Sequence, residues 1–99
     1  MGLYNFSDQI VFKILRDIRY GYLEITKYNG ELLKFGNPNS HLKSVLKIKK
    51  PNFTFNLIKG GSVGLAESYM RDEFETDNLS SLIEITARNI KIIYKFSGL

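Results

Sequence analysis

The chain has 99 residues, of which 43% are hydrophobic and 24% charged. This length and composition predict one globular domain, because a single core typically organises about 100–150 residues. The absence of cysteine and the presence of one histidine, His41, exclude a disulfide framework, a thiolate zinc site, a cysteine nucleophile and a histidine pair.

The net charge of +4 comes from the first half of the chain. Residues 1–50 hold nine Lys and Arg against four Asp and Glu, whereas residues 51–99 hold five against six. This asymmetry favours a polyanionic partner, either nucleic acid or an anionic membrane surface.

The N-terminal sequence MGLYNFSDQI has no basic region followed by an apolar stretch, and it does not resemble a secretory signal. No apolar run reaches the roughly 18–20 residues of a membrane span. These features predict a cytoplasmic location. The chain is also short for a deep active site, so we predict no catalytic and no metal-binding residues.

The first predicted element is an amphipathic helix over about 6–19. Apolar residues recur at helical spacing along it, and Gly21 follows where a left-handed residue would end the helix. The predicted buried face consists of Phe6, Ile10, Val11, Ile14, Leu15 and Ile18.

Residues 22–36 predict a β-hairpin around Tyr28-Asn29-Gly30. A two-residue turn would place Leu23 and Ile25 on the opposite face from Leu33 and Phe35. A three-residue loop with a left-handed Gly30 puts all four on one face, and we therefore predict the bulged turn.

A third strand is predicted in HLKSVLKIKK, where apolar residues alternate with lysines. His41 opens this strand and is interpreted as exposed and structurally neutral. The lysines Lys43, Lys47, Lys49 and Lys50 have three interpretations: a solvated strand face, a contact with an anionic membrane, or a nucleic-acid surface together with nearby tyrosines.

The second half predicts two short helices, over 51–59 and about 63–70, with Gly60-Gly61 ending the first. A phosphate-binding loop is disfavoured there, because neither glycine motif of such loops is present. A brief strand in DEFET and a helix capped by Asp77 or Asn78 follow, with Leu79, Leu82, Ile83, Thr86 and Ile90 on one face.

The segment from Pro51 to Phe74 is dense in apolar residues for such short elements. Most of them are expected in the core, but short helices joined by Gly60-Gly61 can shift and open a slot for an acyl chain. The candidate lipid-binding residues are Phe53, Leu57, Ile58, Val63, Leu65, Tyr69, Met70 and Phe74.

The run KGGSVGLAESYM at 59–70, followed by Phe74, Asp77-Asn78-Leu79 and Ala87-Arg88-Asn89, resembles the N-terminal region of cyclopropane-fatty-acyl-phospholipid synthases. Those enzymes carry a similar G-x-(V/L/I)-G-(L/F)-(A/G)-E-(A/S)-Y-M stretch. Residues 18–36 look like the hairpin of the same family, and 47–61 are similar to its next strand and helix. The resemblance covers about 10–90, and it departs where the family often has Gly and Trp and this chain has Asp72 and Phe74.

In that family this region precedes a methyltransferase domain with a glycine-rich S-adenosylmethionine site, and no such site is found in this chain. The resemblance implies a non-catalytic module that needs no cofactor of its own and engages phospholipid. It also implies an architecture similar to sterol-carrier-type lipid-binding domains. The tail 91–99 is interpreted as the start of a linker toward a catalytic domain.

Together these features predict an α+β domain with a small antiparallel sheet of three or four strands, an N-terminal helix, two short helices and a C-terminal helix. The expected function is to bind an acyl chain or phospholipid at the inner membrane surface and to present it to a methyltransferase in cis or in trans. The alternatives are a module that braces the catalytic domain or its dimer, and a nucleic-acid-binding domain.

Overall fold

The computed structural model of the chain describes residues 3–97, with side chains for residues 6–93. Within this range the α+β class is confirmed, with four helices and a four-stranded sheet. The elements are α1 (Leu3–Leu15), β1 (Tyr22–Thr26), β2 (Leu32–Gly36), β3 (Lys43–Ile48), α2 (Phe53–Met70), β4 (Phe74–Thr76), α3 (Leu79–Arg88) and α4 (Ile90–Ser97).

The strand order is β2-β1-β3-β4, and the sheet is mixed where the sequence predicted an antiparallel one. Strands β1 and β3 are parallel, with Tyr22 opposite Lys43. The path of the loop 37–42 explains the parallel pairing. Strand β2 ends at Gly36, opposite Tyr22, and the loop then crosses the beginning of β1. Strand β3 therefore starts at the same end of the sheet as β1.

This crossing is close. The backbone N–H of Asn37 donates to the carbonyl oxygen of Gly21 at 3.0 Å. A Cβ atom on Gly36 would overlap that same carbonyl oxygen, and Gly36 has a φ of 88°. Only glycine fits where the loop passes β1.

The hairpin prediction is confirmed. Leu23 lies opposite Phe35 and Ile25 opposite Leu33, so all four side chains point to one face. The backbone N–H of Gly30 donates to the carbonyl oxygen of Lys27, and Gly30 has a φ of 94°. This is the bulged three-residue turn.

Three helices cover one face of the sheet. The core consists of Phe12, Ile18, Leu23, Ile25, Phe35, Leu46, Ile48, Phe53, Phe74, Leu82 and Ile85. Because side chains alternate along a strand, Lys43, Val45 and Lys47 point to the other face, where all three are exposed. We call this second side of the sheet the outer face.

Helix α1 differs from its prediction in range and orientation. It ends at Leu15, not near residue 19, because the backbone N–H groups of Arg19 and Tyr20 donate to the Asn89 side chain. Phe6 is 60% exposed, whereas Phe12, absent from the predicted face, is buried and stacks on Phe35 at 5.9 Å. The contact with the sheet decides which residues of the helix are buried.

Candidate lipid-binding groove

Helix α2 has a kink at Gly61, whose φ of 57° and ψ of −133° are not helical. The kink divides α2 into two helical segments, and it lies at the Gly60-Gly61 break that the sequence predicted. The first segment begins at Phe53, two residues after Pro51.

The two segments pack closely at Gly64. A Cβ atom at this position would overlap the carbonyl oxygen of Asn56, in the first segment. Gly60, by contrast, has no neighbouring atom in the space its Cβ would occupy. This contact at Gly64 brings the backbones of the two segments together in the arrangement seen here.

A groove of about 580 Å³ lies between the second segment of α2 and the helices α3 and α4. Most of the side chains lining it are apolar, and they come from helix positions three or four apart. The lining residues are Ser62, Leu65, Ala66, Tyr69, Met70, Leu79, Ile83, Thr86, Ala87 and Ile90. We call this feature the α2–α3 groove.

The groove offers few polar groups to a ligand. The hydroxyl of Thr86 donates to the carbonyl oxygen of Leu82 at 3.0 Å, so its hydrogen is already engaged in α3. Met70 and Ile83 are 76% and 53% exposed at the groove. Exposed apolar side chains along a concave surface favour a ligand made mainly of hydrocarbon.

Five of the predicted lipid-binding residues fall into two groups, and one of them, Leu65, also packs partly against the core. Leu65, Tyr69 and Met70 line the groove. Ile58 and Val63 are exposed near the kink but do not line it. The eight candidates therefore do not form one surface.

Two further candidates, Phe53 and Phe74, belong to the hydrophobic interior, which corrects their assignment as lipid contacts, whereas Leu57 is partly buried against the core and does not line the groove. Phe53 and Phe74 are 2% and 1% exposed, with ring centroids 4.9 Å apart, and Leu57 packs against the same core. The neighbouring strands β3 and β4 hold Phe74 opposite Ile48. Sheet pairing places the Phe74 ring in the core, and the Phe53 ring on α2 packs against it there.

The far wall of the groove was not predicted as a site. Leu79, Ile83, Ala87 and Ile90 lie four, four and three positions apart and form one stripe on α3 and the beginning of α4. The adjacent stripe, containing Leu82 and Ile85, is buried in the core. The apolar residues of α3 cover a wider part of the helix surface than the one stripe that the core buries. This excess of apolar residues is the sequence signal that could have indicated the wall.

The departure from the family pattern at Asp72 coincides with a turn. Asp72 has a φ of 59°, a conformation that glycine adopts without strain and aspartate tolerates. Its carboxylate also accepts from Lys49 Nζ at 2.7 Å, and Glu75 lies 3.3 Å from the same nitrogen. The hydrogen bond to Asp72 is the main cause of a raised pKa of Lys49.

Glu73 connects the end of α2 with the sheet. Burial alone would raise the pKa of its carboxyl, but the Ser68 hydroxyl, together with hydrogen bonds from Asn56 Nδ2 at 3.0 Å and Arg71 Nε at 3.1 Å, outweighs burial and lowers it. Its carbonyl oxygen accepts from the backbone N–H of Lys49 at 2.9 Å. The Glu73 carboxylate therefore bonds to α2 and the turn after it, and the Glu73 backbone bonds to the residue that follows β3.

The four predicted membrane-contact lysines are not equivalent. Lys43 and Lys47 are exposed on the outer face, and Lys50 is exposed just beyond β3. Lys49 is ion-paired with two carboxylates. Because the helices cover the other side of the sheet, the β3 lysines and the α2–α3 groove lie on opposite sides of the domain.

Comparison with protein-family models, with curated proteins and with solved structures finds no match to this chain. Among residues 3–97, no helix combines the length and the apolar character needed to cross a bilayer.

Proposed function

We propose that this chain is a non-catalytic lipid-binding module, whose α2–α3 groove takes the acyl chain of a phospholipid. The role follows the resemblance to the N-terminal region of cyclopropane-fatty-acyl-phospholipid synthases, in which a methyltransferase domain uses S-adenosylmethionine. The module would present the lipid to such a domain in cis or in trans.

The groove is the observation that supports this proposal. Its walls are apolar along their length, and its volume of about 580 Å³ falls within the range of small-ligand sites. Tyr69, 44% exposed at the groove, joins an apolar ring to a hydroxyl that can meet the polar end of a lipid.

Met70→Ala is expected to lower the affinity for a fluorescent fatty acid at least about fivefold, because about 1 kcal/mol or more of apolar contact is removed. Stability should hardly change, since the side chain is 76% exposed. A buried methionine would instead cost roughly 2–5 kcal/mol on truncation. Fatty-acid titration and thermal melts of the same protein measure both quantities.

Val63→Ala is the matched control. Val63 is 66% exposed on the same helical segment but does not line the groove, so its truncation should leave fatty-acid affinity unchanged. A bulky Ala66→Trp side chain in the groove should reduce binding further than Met70→Ala. Unchanged affinity in both groove variants would remove the groove from the proposal.

The exposed lysines support a second part of the proposal, a peripheral contact with the anionic inner membrane surface. Each lysine near such a surface contributes on the order of 1 kcal/mol, and salt screens this attraction. The triple change of Lys43, Lys47 and Lys50 to Gln should therefore strongly weaken sedimentation with anionic vesicles at low salt.

Lys49→Gln provides the comparison, because the Lys49 charge is already paired with Asp72 and Glu75. It should change vesicle binding much less than any one of the three exposed lysines. Equal losses at all four positions would contradict a contact made by unpaired cations on and beside the outer face.

The outer face also favours a second candidate function, that of bracing a partner domain. It combines cations with exposed apolar side chains: Val45 is 43% and Leu32 50% exposed. Tyr22 is less suited to stacking on a nucleobase, because its hydroxyl donates to Glu24 at 3.0 Å and Lys43 Nζ lies 6.0 Å from its ring centroid. Absence of both vesicle binding and fatty-acid binding would favour bracing.

A further inference from the structure

A second, smaller and more open depression of about 260 Å³ lies at the opposite flank of α3 from the groove. Helical spacing separates the two, since Ile83 and Ala87 face the groove whereas Glu84 and Arg88 lie on the other side of the helix. The cavity is formed by the segment before β1, the loop 37–42 and the end of α3. We call it the loop pocket.

Basic side chains from three distant parts of the chain meet in the loop pocket. They are Arg19, His41 and Arg88, and no Asp or Glu is among its lining residues. The only carboxylate paired with these groups in residues 6–93 is Glu84, 2.7 Å from Arg88. Both members of that pair are about half exposed, and such helix-surface pairs exchange readily for another anion.

The polar side chains of the loop accept hydrogen bonds from within the loop. Asn37 Oδ1 accepts from the backbone N–H of Asn39 at 2.9 Å, and Ser40 Oγ accepts from the backbone N–H of Leu42 at 3.1 Å. Asn37 Nδ2 and the Ser40 hydroxyl hydrogen have no acceptor in the described part of the chain. The internal bonds thus occupy acceptors and leave donors for a ligand.

The buried Asn89 holds two walls of the pocket together. Its Oδ1 accepts from the backbone N–H of Arg19 at 2.9 Å, and it directly follows Arg88 in the chain. The backbones of the two arginines are thereby held close together, and their planar guanidinium groups can bind phosphate oxygens in a bidentate geometry.

We propose that the loop pocket is an anion site for a phosphate group, carried by a phospholipid headgroup or by a free phosphate compound. The site is independent of acyl binding, because α3 separates it from the groove. Arg19 and Arg88 provide charge, and Asn37 and Ser40 provide neutral donors.

Inorganic phosphate titrated into the isotope-labelled chain at low ionic strength should saturably shift the backbone amides of 19–21, 37 and 39–42, where residue 38 is a proline without an N–H. Arg19→Gln and Arg88→Gln should each weaken this binding by about tenfold or more, since each removes a charge-assisted hydrogen bond. Arg16→Gln is the matched control: it removes the same charge from an exposed position outside the pocket, and should change binding less than about twofold by screening alone.

Two further titrations distinguish a phospholipid headgroup from a free phosphate compound as the ligand. Glycerol phosphate and phosphatidylglycerol vesicles are compared with inorganic phosphate in the same variants. Saturation by inorganic phosphate indicates a free phosphate ligand, whereas dependence on Arg19 and Arg88 only with glycerol phosphate or vesicles indicates a headgroup. Three results would overturn the proposal. They are unsaturable shifts spread over residues near the lysines, a loss of phosphate affinity in Arg16→Gln equal to that in Arg19→Gln or Arg88→Gln, and no saturable shift with any of the phosphate compounds.

Met70→Ala is included because it should leave phosphate binding unchanged. Loss of fatty-acid affinity with intact phosphate binding would separate the two sites. Thermal melts of the two arginine variants check the fold, which should be unaffected because Arg19 and Arg88 are exposed.

Discussion

Asn89→Ala is expected to lower the free energy of unfolding by about 3–4 kcal/mol, among the largest effects of any single change in this chain. Asn89 is 1% exposed, and its side chain makes four hydrogen bonds. Its Oδ1 accepts from the backbone N–H groups of Arg19 and Tyr20 at 2.9 and 3.2 Å, and its Nδ2 donates to the carbonyl oxygens of Tyr20 and Ile85 at 2.8 and 2.7 Å.

Alanine would leave these backbone groups without partners beside a cavity, and an unsatisfied buried group costs roughly 1–3 kcal/mol. Urea unfolding followed by circular dichroism measures the loss. Hydrogen exchange adds a local test, because the Arg19 and Tyr20 amides should lose protection before the sheet does.

Asn78→Ala is the graded control. Asn78 caps α3 by accepting from the backbone N–H of Ser81 at 3.0 Å at an exposed position, and such a cap contributes about 1 kcal/mol. Equal losses for the two asparagines would contradict the role assigned to Asn89.

Gly64→Ala is expected to destabilise the domain by about 1–3 kcal/mol, although alanine normally stabilises a helix relative to glycine by about 0.5–1 kcal/mol. The sign reverses because the new Cβ atom would overlap the backbone carbonyl oxygen of Asn56, which cannot move aside as a flexible side chain would. The second segment of α2 must then tilt away, and it carries one wall of the groove. Fatty-acid affinity should fall together with stability.

Gly60→Ala tests the reason for this effect. Gly60 lies in the same glycine-rich run, has open space around it and does not have a positive φ. Alanine there should be neutral or stabilise by up to about 1 kcal/mol. Denaturant unfolding of the two variants measures the difference, and a loss at Gly60 as large as at Gly64 would show that close packing is not its cause.

Local patterns determined much of this fold. The hairpin register followed from the turn residues, because placing Leu23, Ile25, Leu33 and Phe35 on one face required one loop length. The lysine-bearing outer side of β3 followed from strict alternation, and the break in α2 followed from Gly60-Gly61. Each of these features depends on residues that are neighbours in the sequence, so short-range physics is sufficient to specify it.

Long-range contacts decided the rest. The parallel pairing of β1 with β3 depends on where the loop 37–42 crosses, and the orientation of α1 depends on Phe12 meeting Phe35. Division of the apolar residues of 53–74 between core and groove depends on β4, which buries Phe74 and leaves Met70 exposed. The composition of this segment by itself determined that its side chains favour removal from water. The hydrophobic effect is non-directional, so it does not specify which apolar side chains become buried. Only the packed structure decided which of them remained accessible to a ligand.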